Sequence, residues 1–202
     1  MTKAAINHYP IPEISDLPED LRTFILNVNE KMGFVPNVFL VLAYRPDELR
    51  AFMAYHDAVM ERKGGLSKED REMIVVATSG DNNCQYCVVA HGAILRIRAK
   101  NPLIADQIAI NHHKADITAR EKAMLDFAIK VSQDSRSIND NDREKLKNHG
   151  FSDDDIWDIV AITAFFGMSN RLANSLSIRP NDEFYLMGRV PKDHKSTEAH
   201  KN

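Results

Sequence analysis

Thr118-Ala119-Arg120-Glu121 is a complete helix-capping box, and punctuation of that kind recurs from one end of the chain to the other. In such a box the Thr side chain accepts a backbone N–H inside the first turn, and the Glu reaches back to the cap's own N–H. Two of the four donors left unpaired at a helix start are thereby satisfied. Ser67-Lys68-Glu69-Asp70 resembles the same device, and Ser152 with Asp153 to Asp155 opens the last long helix. Asp16-Leu17-Pro18-Glu19 starts a first helix that Gly33 closes, with Pro18 in the first turn. Pro36-Asn37 begins a short apolar segment, Pro46-Asp47-Glu48 a helix running to Gly64-Gly65, and Asn139 a short helix ending at Gly150. Asn82-Asn83 break the chain ahead of a helix from about Cys84 to Lys100. No alternating apolar run is bounded by hairpin turns, so the expected fold class is all-α.

Length and charge narrow what such a bundle can do. A chain of 202 residues is long enough to bury a real core, as one domain or two small halves. A formal net charge of −3, with 27% charged residues, supplies no electrostatic reason to bind nucleic acid or an anionic membrane. Met1 to Pro12 holds no apolar run like a signal-peptide core. Ile156 to Met168 is interrupted by Asp158 and is too short to span a bilayer, so a cytoplasmic location is expected. Thiols are kept reduced there, and two cysteines spaced as a pair then point to redox or metal chemistry rather than a structural staple.

The chain also hints at an internal duplication. Leu66-Ser67, Asp70, Ile74-Val75 and Thr78 recur in order as Phe151-Ser152, Asp155, Ile159-Val160 and Thr163. On that register Glu72 becomes Trp157, Cys84 becomes Ser169, Cys87 becomes Leu172 and His91 becomes Leu176. The expectation is one domain over 1–187, with an active half at about 38–112 and an inactive half at about 117–178. A mobile polar tail then occupies 188–202. Two capped apolar helices that look alike by chance would give the same pattern. Trp157 and the Met and Phe positions at helical spacing are expected in the core, and His56 with the other scattered histidines at the surface.

Cys84-Gln85-Tyr86-Cys87 followed by Val88-Val89-Ala90-His91 carries the chemistry. Positions three and four apart share one helix face, so Cys84 lies beside Cys87 and Cys87 beside His91. Thiols at that spacing can close and reopen a disulfide. The reactive thiolate is favoured by the helix start at Cys84 and by the imidazole one turn beyond Cys87. Glu72 stands on the preceding helix, which the Asn82-Asn83 break folds back alongside. A carboxylate there orients a histidine, and a Glu–His–Cys chain can move the thiol proton. Glu69 and Asp70, nearer the capped end, are weaker rivals for that role. The competing assignment is zinc on Cys84, Cys87 and His91 with a fourth ligand from His112, His113 or a carboxylate. The histidine pair, however, sits in a polar stretch, Asn111 to Asp116, that reads as solvated loop.

Glu72, eleven intervening residues, Cys84-x-x-Cys87, three residues and His91 resemble the active-site motif of the alkylhydroperoxidase D (AhpD)-like family, within the carboxymuconolactone decarboxylase superfamily. Leu66-Ser67, Asp70-Arg71-Glu72, Ile74 to Ala77, Ser79, Asn82 and Tyr86 are similar to the family pattern too. Gly33-Phe34-Val35-Pro36-Asn37 and Arg45-Pro46 resemble its peroxidase-related branch, so the likeness runs from roughly Ile11 to Phe184. The resemblance implies an all-helical antioxidant peroxidase that reduces hydroperoxides. Cys87 would be the nucleophile, Cys84 the resolving thiol, and Glu72 with His91 the proton relay. It implies no metal or organic cofactor, a thiol or lipoyl-type electron donor, and assembly into trimers or hexamers. Phe39, Leu40 and Leu42 are candidates for burial between subunits, or simply complete the monomer's core. Tyr86 stands where the founding enzymes carry a histidine of their proton network, and this chain lacks that member. A dithiol–disulfide oxidoreductase and a non-catalytic redox-sensing or zinc-binding module are the alternatives. Decarboxylation fits poorly, because that branch lacks the cysteine pair.

Overall fold

Ten α-helices and no strand make up residues 6–189, which are those the computed structural model describes. In chain order they are α1 (Glu19–Met32), α2 (Asn37–Leu42), α3 (Pro46–Met60), α4 (Lys68–Asp81), α5 (Gln85–Ala99), α6 (Ile104–Asn111), α7 (Ala119–Asp134), α8 (Asp140–Asn148), α9 (Asp153–Ser175) and α10 (Glu183–Leu186). No helix among the described residues is long and apolar enough to cross a membrane. Ser67, Thr118, Asn139 and Ser152 all form complete capping boxes, the last with Asp155. Gly33 ends α1 at φ 81°, a conformation open to glycine because it has no Cβ to clash.

The centre of the bundle is α4, packed against α5, α6, α7 and α9. Every residue from Asp70 to Ser79 is buried, as expected of a helix surrounded on all sides. Gly80 lets α6 come close: a Cβ there would lie 2.5 Å from the Ala109 carbonyl oxygen. One apolar cluster runs from Val41 to Phe184 and so joins both halves of the chain. A second, of Leu17, Leu21, Ile25, Leu42, Ala43 and Leu49, binds α1 and α2 to α3. Leu42 therefore completes the monomer's own core, and Phe39 packs edge-on to Phe24.

A buried ion pair fastens α4 to α9. Arg71 donates from Nη2 to Asp158 Oδ2 at 2.7 Å and from Nη1 to the Val59 carbonyl at 2.6 Å. Arg62 donates to the other Asp158 oxygen at 2.6 Å. Removing one partner of such a pair strands the other without solvent. Asp158→Ala should therefore lower unfolding stability by about 3–5 kcal/mol. A urea midpoint unchanged from wild type would show that Arg71 finds another partner.

Several expectations are corrected. Trp157 is 74% exposed, because α9, packed against α3, α4, α5, α7 and α8, still leaves one stripe open, and Trp157 lies on it with Val160 and Met168. The helix α6 went unrecognised, since Leu103 offers no side-chain cap and the helix is held by packing on α4 and α5. His112 to Lys114, read as loop, form a 3-10 turn in which Asp126 holds His112 at 2.7 Å. The duplication register is kept at the caps, and Thr78 and Thr163 each donate to the carbonyl four residues back. The register's geometry then diverges: the chain turns at Asn83 (φ 51°), whereas α9 runs straight through Gly167 and Met168. At the start of the polar tail, Arg189 is paired with Asp106 at 2.7 Å; the rest, 190–202, lies outside the described residues.

Candidate active site

The break between α4 and α5 builds the thiol site. Asn83 takes up a left-handed conformation, and Cys84 N–H donates to the Ser79 carbonyl at 2.9 Å, which turns α5 back along α4. Cys84 is thus the N-cap rather than the first helical residue, close to the free N–H groups of the first turn of α5. Cys87 lies within the first turn, and His91 follows one turn later on the same face. Both cysteines are free thiols and both are buried.

Glu72, Cys84, Cys87 and His91 come together. Glu72, almost fully buried, meets His91 Nδ1 through Oε2 at 2.8 Å, which leaves Nε2 as the free ring nitrogen. The other carboxylate oxygen pairs with Arg98 at 3.1 Å. Glu69 and Asp70 take no part: Asp70 closes the capping box with Ser67 and meets Arg120. The carboxyl of Glu69 is pushed up by burial and by the nearby Glu121 and Asp70 charges.

The two thiols share one negative charge unequally. Cys84 is drawn down to about 7, first by the hydrogen bond from Cys87, then by its place at the helix start and by the Asn170 amide. Cys87 is pushed well up, because it is the donor to that sulfur and because it is buried. Helical spacing sets the His91 imidazole near Cys87, yet the hydrogen bond that Cys87 donates to Cys84, together with the burial of Cys87, favours the thiolate on Cys84. The pair titrates as a unit, so a proton moved from Cys87 to Cys84 exchanges which sulfur is nucleophilic.

Access follows the opposite order. A cavity of about 260 Å³ is lined by Cys87, His91, Tyr86 and Ser169, with aromatic walls from Phe24, Phe39, Phe52 and Phe166. Cys84 is not among its lining residues and is 0% exposed. The Phe166 ring stands edge-on to His91 with centroids 4.7 Å apart. Tyr86 accepts the Val38 N–H at 3.2 Å, which ties the first turn of α5 to α2 at the rim of the cavity. Burial pushes the Tyr86 phenol up, so it stays protonated.

Four contributors were missed in the sequence. Ser169 on α9 has its Oγ 3.8 Å from Cys87 Sγ. Asn170 donates to Ser79 at 3.0 Å and accepts from Asn82 at 3.0 Å, which fixes its amide beside the thiols. The half expected to be inactive thus supplies two polar groups to the site, and the register that matched Ser169 with Cys84 was the available signal. Arg98 was legible too, standing on the His91 face of α5 two turns on. His56, expected at the surface, instead lines the cavity, its ring 6.5 Å from that of His91. Nothing in the local sequence around it marks it out. As for zinc, His112 and His113 gather with Asp126 rather than with the cysteines. Among the described residues that trio is the group of potential ligands close enough to share an ion.

The pattern of the carboxymuconolactone decarboxylase family matches residues 46–102, the segment that carries His56, Glu72, both cysteines and His91. No curated protein matches the chain. Among solved structures, an alkylhydroperoxidase AhpD core, a peroxidase-related protein from Ralstonia eutropha JMP134, is 64% identical with a TM-score of 0.93. That match covers 94% of this chain and 100% of the other. A peroxidase-related protein from Silicibacter sp. TM1040 is 38% identical with a TM-score of 0.88, over 94% of this chain and 99% of that one. The debrominase Bmp8 shares the fold, at 21% identity and a TM-score of 0.72 over 93% and 98% of the two chains. At this identity to two peroxidase-related proteins, over nearly their whole length, the chain belongs to the AhpD-like family of the carboxymuconolactone decarboxylase superfamily.

Proposed function

We propose that the protein reduces organic hydroperoxides with its own cysteine pair, Cys87 acting as nucleophile and Cys84 as resolving thiol. The observation that carries this is the placement of Cys87 on a half-open, aromatic-walled cavity that also holds His91, with Glu72 behind the ring. The Cys87 proton passes to the Cys84 sulfur, and the Cys87 thiolate attacks the terminal oxygen of R–O–O–H. The S–O bond forms as the O–O bond breaks, sulfur is oxidised by two electrons, and R–O⁻ takes a proton from protonated His91 to leave as the alcohol. Cys84 then attacks the sulfenic acid; an S–S bond forms, and the hydroxyl departs as water with a proton returned through His91. An external dithiol, of thiol or lipoyl type, would restore both thiols by exchange.

The apolar walls favour an organic hydroperoxide over hydrogen peroxide, since burying an alkyl or aryl group there contributes about 25 cal/mol per Å². They speak against a protein disulfide as substrate, because Cys84 is enclosed and a folded partner does not enter a space of about 260 Å³. The test is the mass of native protein after one equivalent of cumene hydroperoxide. The expected product has lost two hydrogens and gained no oxygen, and neither thiol alkylates until reduced. Thiols that remain fully alkylatable would end the proposal.

A further inference from the structure

We propose that His56 is the residue that holds the hydroperoxide's O–H group, accepting its hydrogen bond and aiming the terminal oxygen at Cys87. The inference rests on the hydroperoxide-reducing role given above and adds a group that role did not include.

His56 comes from α3, apart from the α4–α5 hairpin that carries the thiols and their relay. It lines the same cavity as Cys87 and His91, and its ring packs against Phe165 with centroids 6.0 Å apart. Its Nδ1 is 3.0 Å from Asp57 Oδ1. A carboxylate can only accept, so Nδ1 carries the hydrogen and Nε2 keeps its lone pair. Burial is the main influence lowering the ring's affinity for a proton, and the facing His91 adds to it; the Asp57 and Glu72 carboxylates act in the other direction. The result is a neutral imidazole with one free acceptor in a cavity whose walls are otherwise mostly apolar.

The division of work follows from the substrate. A hydroperoxide has one O–H donor, on the oxygen that the thiolate attacks, and a second oxygen that leaves as alkoxide and needs a proton. His91, with Glu72 Oε2 2.8 Å from its Nδ1, is the ring placed to hand over that proton. His56, held neutral, is suited to receive the O–H. The two rings, with centroids 6.5 Å apart, line one cavity, so a single peroxide group in it lies within reach of both. His56 neither gains nor loses a proton in this step: the hydrogen stays on the attacked oxygen and ends on the Cys87 sulfenic acid.

The experiment compares two oxidants on the same thiols, one with an O–H group and one without. Cumene hydroperoxide and 4,4′-dithiodipyridine are each reacted with reduced wild type, His56→Phe and His56→Gln. Thiol loss is followed by quenched alkylation, and the fold by circular dichroism. Phe keeps the ring's bulk and removes the acceptor; Gln keeps a carbonyl that can accept. His56→Phe is expected to react with cumene hydroperoxide about 10²-fold more slowly and with dithiodipyridine at the wild-type rate, and His56→Gln to recover part of the loss. Equal slowing toward both oxidants would make His56 a packing residue and overturn the assignment. So would unchanged rates with the hydroperoxide in both variants. A wild type inert to cumene hydroperoxide yet reactive with dithiodipyridine would remove the peroxidase role itself, and this assignment with it.

Discussion

Cys87→Ser should abolish hydroperoxide reduction, with a loss of about 10⁴-fold or more, while Cys84→Ser, which lacks the base as well as the resolving thiol, should react more slowly and halt after one turnover with a sulfenic acid trapped on Cys87. Two physical effects compete in this expected result. Thiolate character favours Cys84, drawn down to about 7 by the Cys87 hydrogen bond, the helix start and Asn170. Access favours Cys87, which lines the cavity while Cys84 is sealed from it. Access should win, because proton exchange between hydrogen-bonded sulfurs is fast and an oxidant that cannot reach a sulfur cannot react with it. The low Cys84 value still shows in the pH profile. Its thiolate, the base that takes the Cys87 proton, is present above about pH 7 and is lost as pH falls through that value. The wild-type peroxide step should therefore slow on the acid side of about 7. Trapping with dimedone followed by peptide mass mapping reads the site directly. A sulfenate on Cys84 in the Cys87→Ser protein, formed at the wild-type rate, would reverse the two roles.

Loss of the proton relay should be nearly as damaging. His91→Ala and Glu72→Gln are each expected to slow the peroxide step by roughly 10²–10⁴-fold, with circular dichroism unchanged. Without His91, the departing alkoxide has no proton donor at hand. Without the Glu72 carboxylate, the ring at 2.8 Å loses the group that fixes its tautomer and orientation. Glu72→Gln keeps the volume of a buried side chain, although Arg98 loses the charge of its 3.1 Å partner and keeps the Lys68 carbonyl at 3.1 Å and Glu61 at 3.4 Å. Because the two residues act as one unit, the double variant should be scarcely slower than the worse single variant. Losses that multiply instead would mean that Glu72 and His91 act independently. Stopped-flow oxidation at a single hydroperoxide concentration distinguishes the two results.

What could be read from the amino-acid order alone shares a single property: it is local. A capping box closes within four residues, so Ser67, Thr118 and Ser152 announce their helices whatever surrounds them. The Cys84, Cys87 and His91 stripe follows from helical spacing alone. Even Glu72 was within reach, because the Asn82-Asn83 break lies just before α5 and leaves few ways to lay that helix other than along α4. Relations between distant parts of the chain leave no such local mark. Trp157 has the composition of a core residue and stands in solvent, since only the docking of α9 on one side of α4 decides which face is covered. The helix α6 carries no cap and exists through packing. His56, Ser169 and Asn170 reach the thiols from α3 and α9, and no periodicity within either helix records that encounter.

The pKa order of the cysteines shows the same limit. Spacing placed an imidazole beside one thiol and a helix start beside the other, with no means of weighing them. The tertiary structure decides the matter through the hydrogen bond that Cys87 donates to Cys84 and through the burial that pushes Cys87 up. The sequence by itself determined an all-helical chain with a dithiol, a histidine and a carboxylate on adjoining helices, because those relations arise from hydrogen bonds and spacings of three or four residues. Which sulfur lines the cavity, what walls surround it and which further ring faces it come from the tertiary packing. Those properties are set by the packing of α3 and α9 against the α4–α5 hairpin, where the free energy of burial depends on contacts between parts of the chain far apart in sequence.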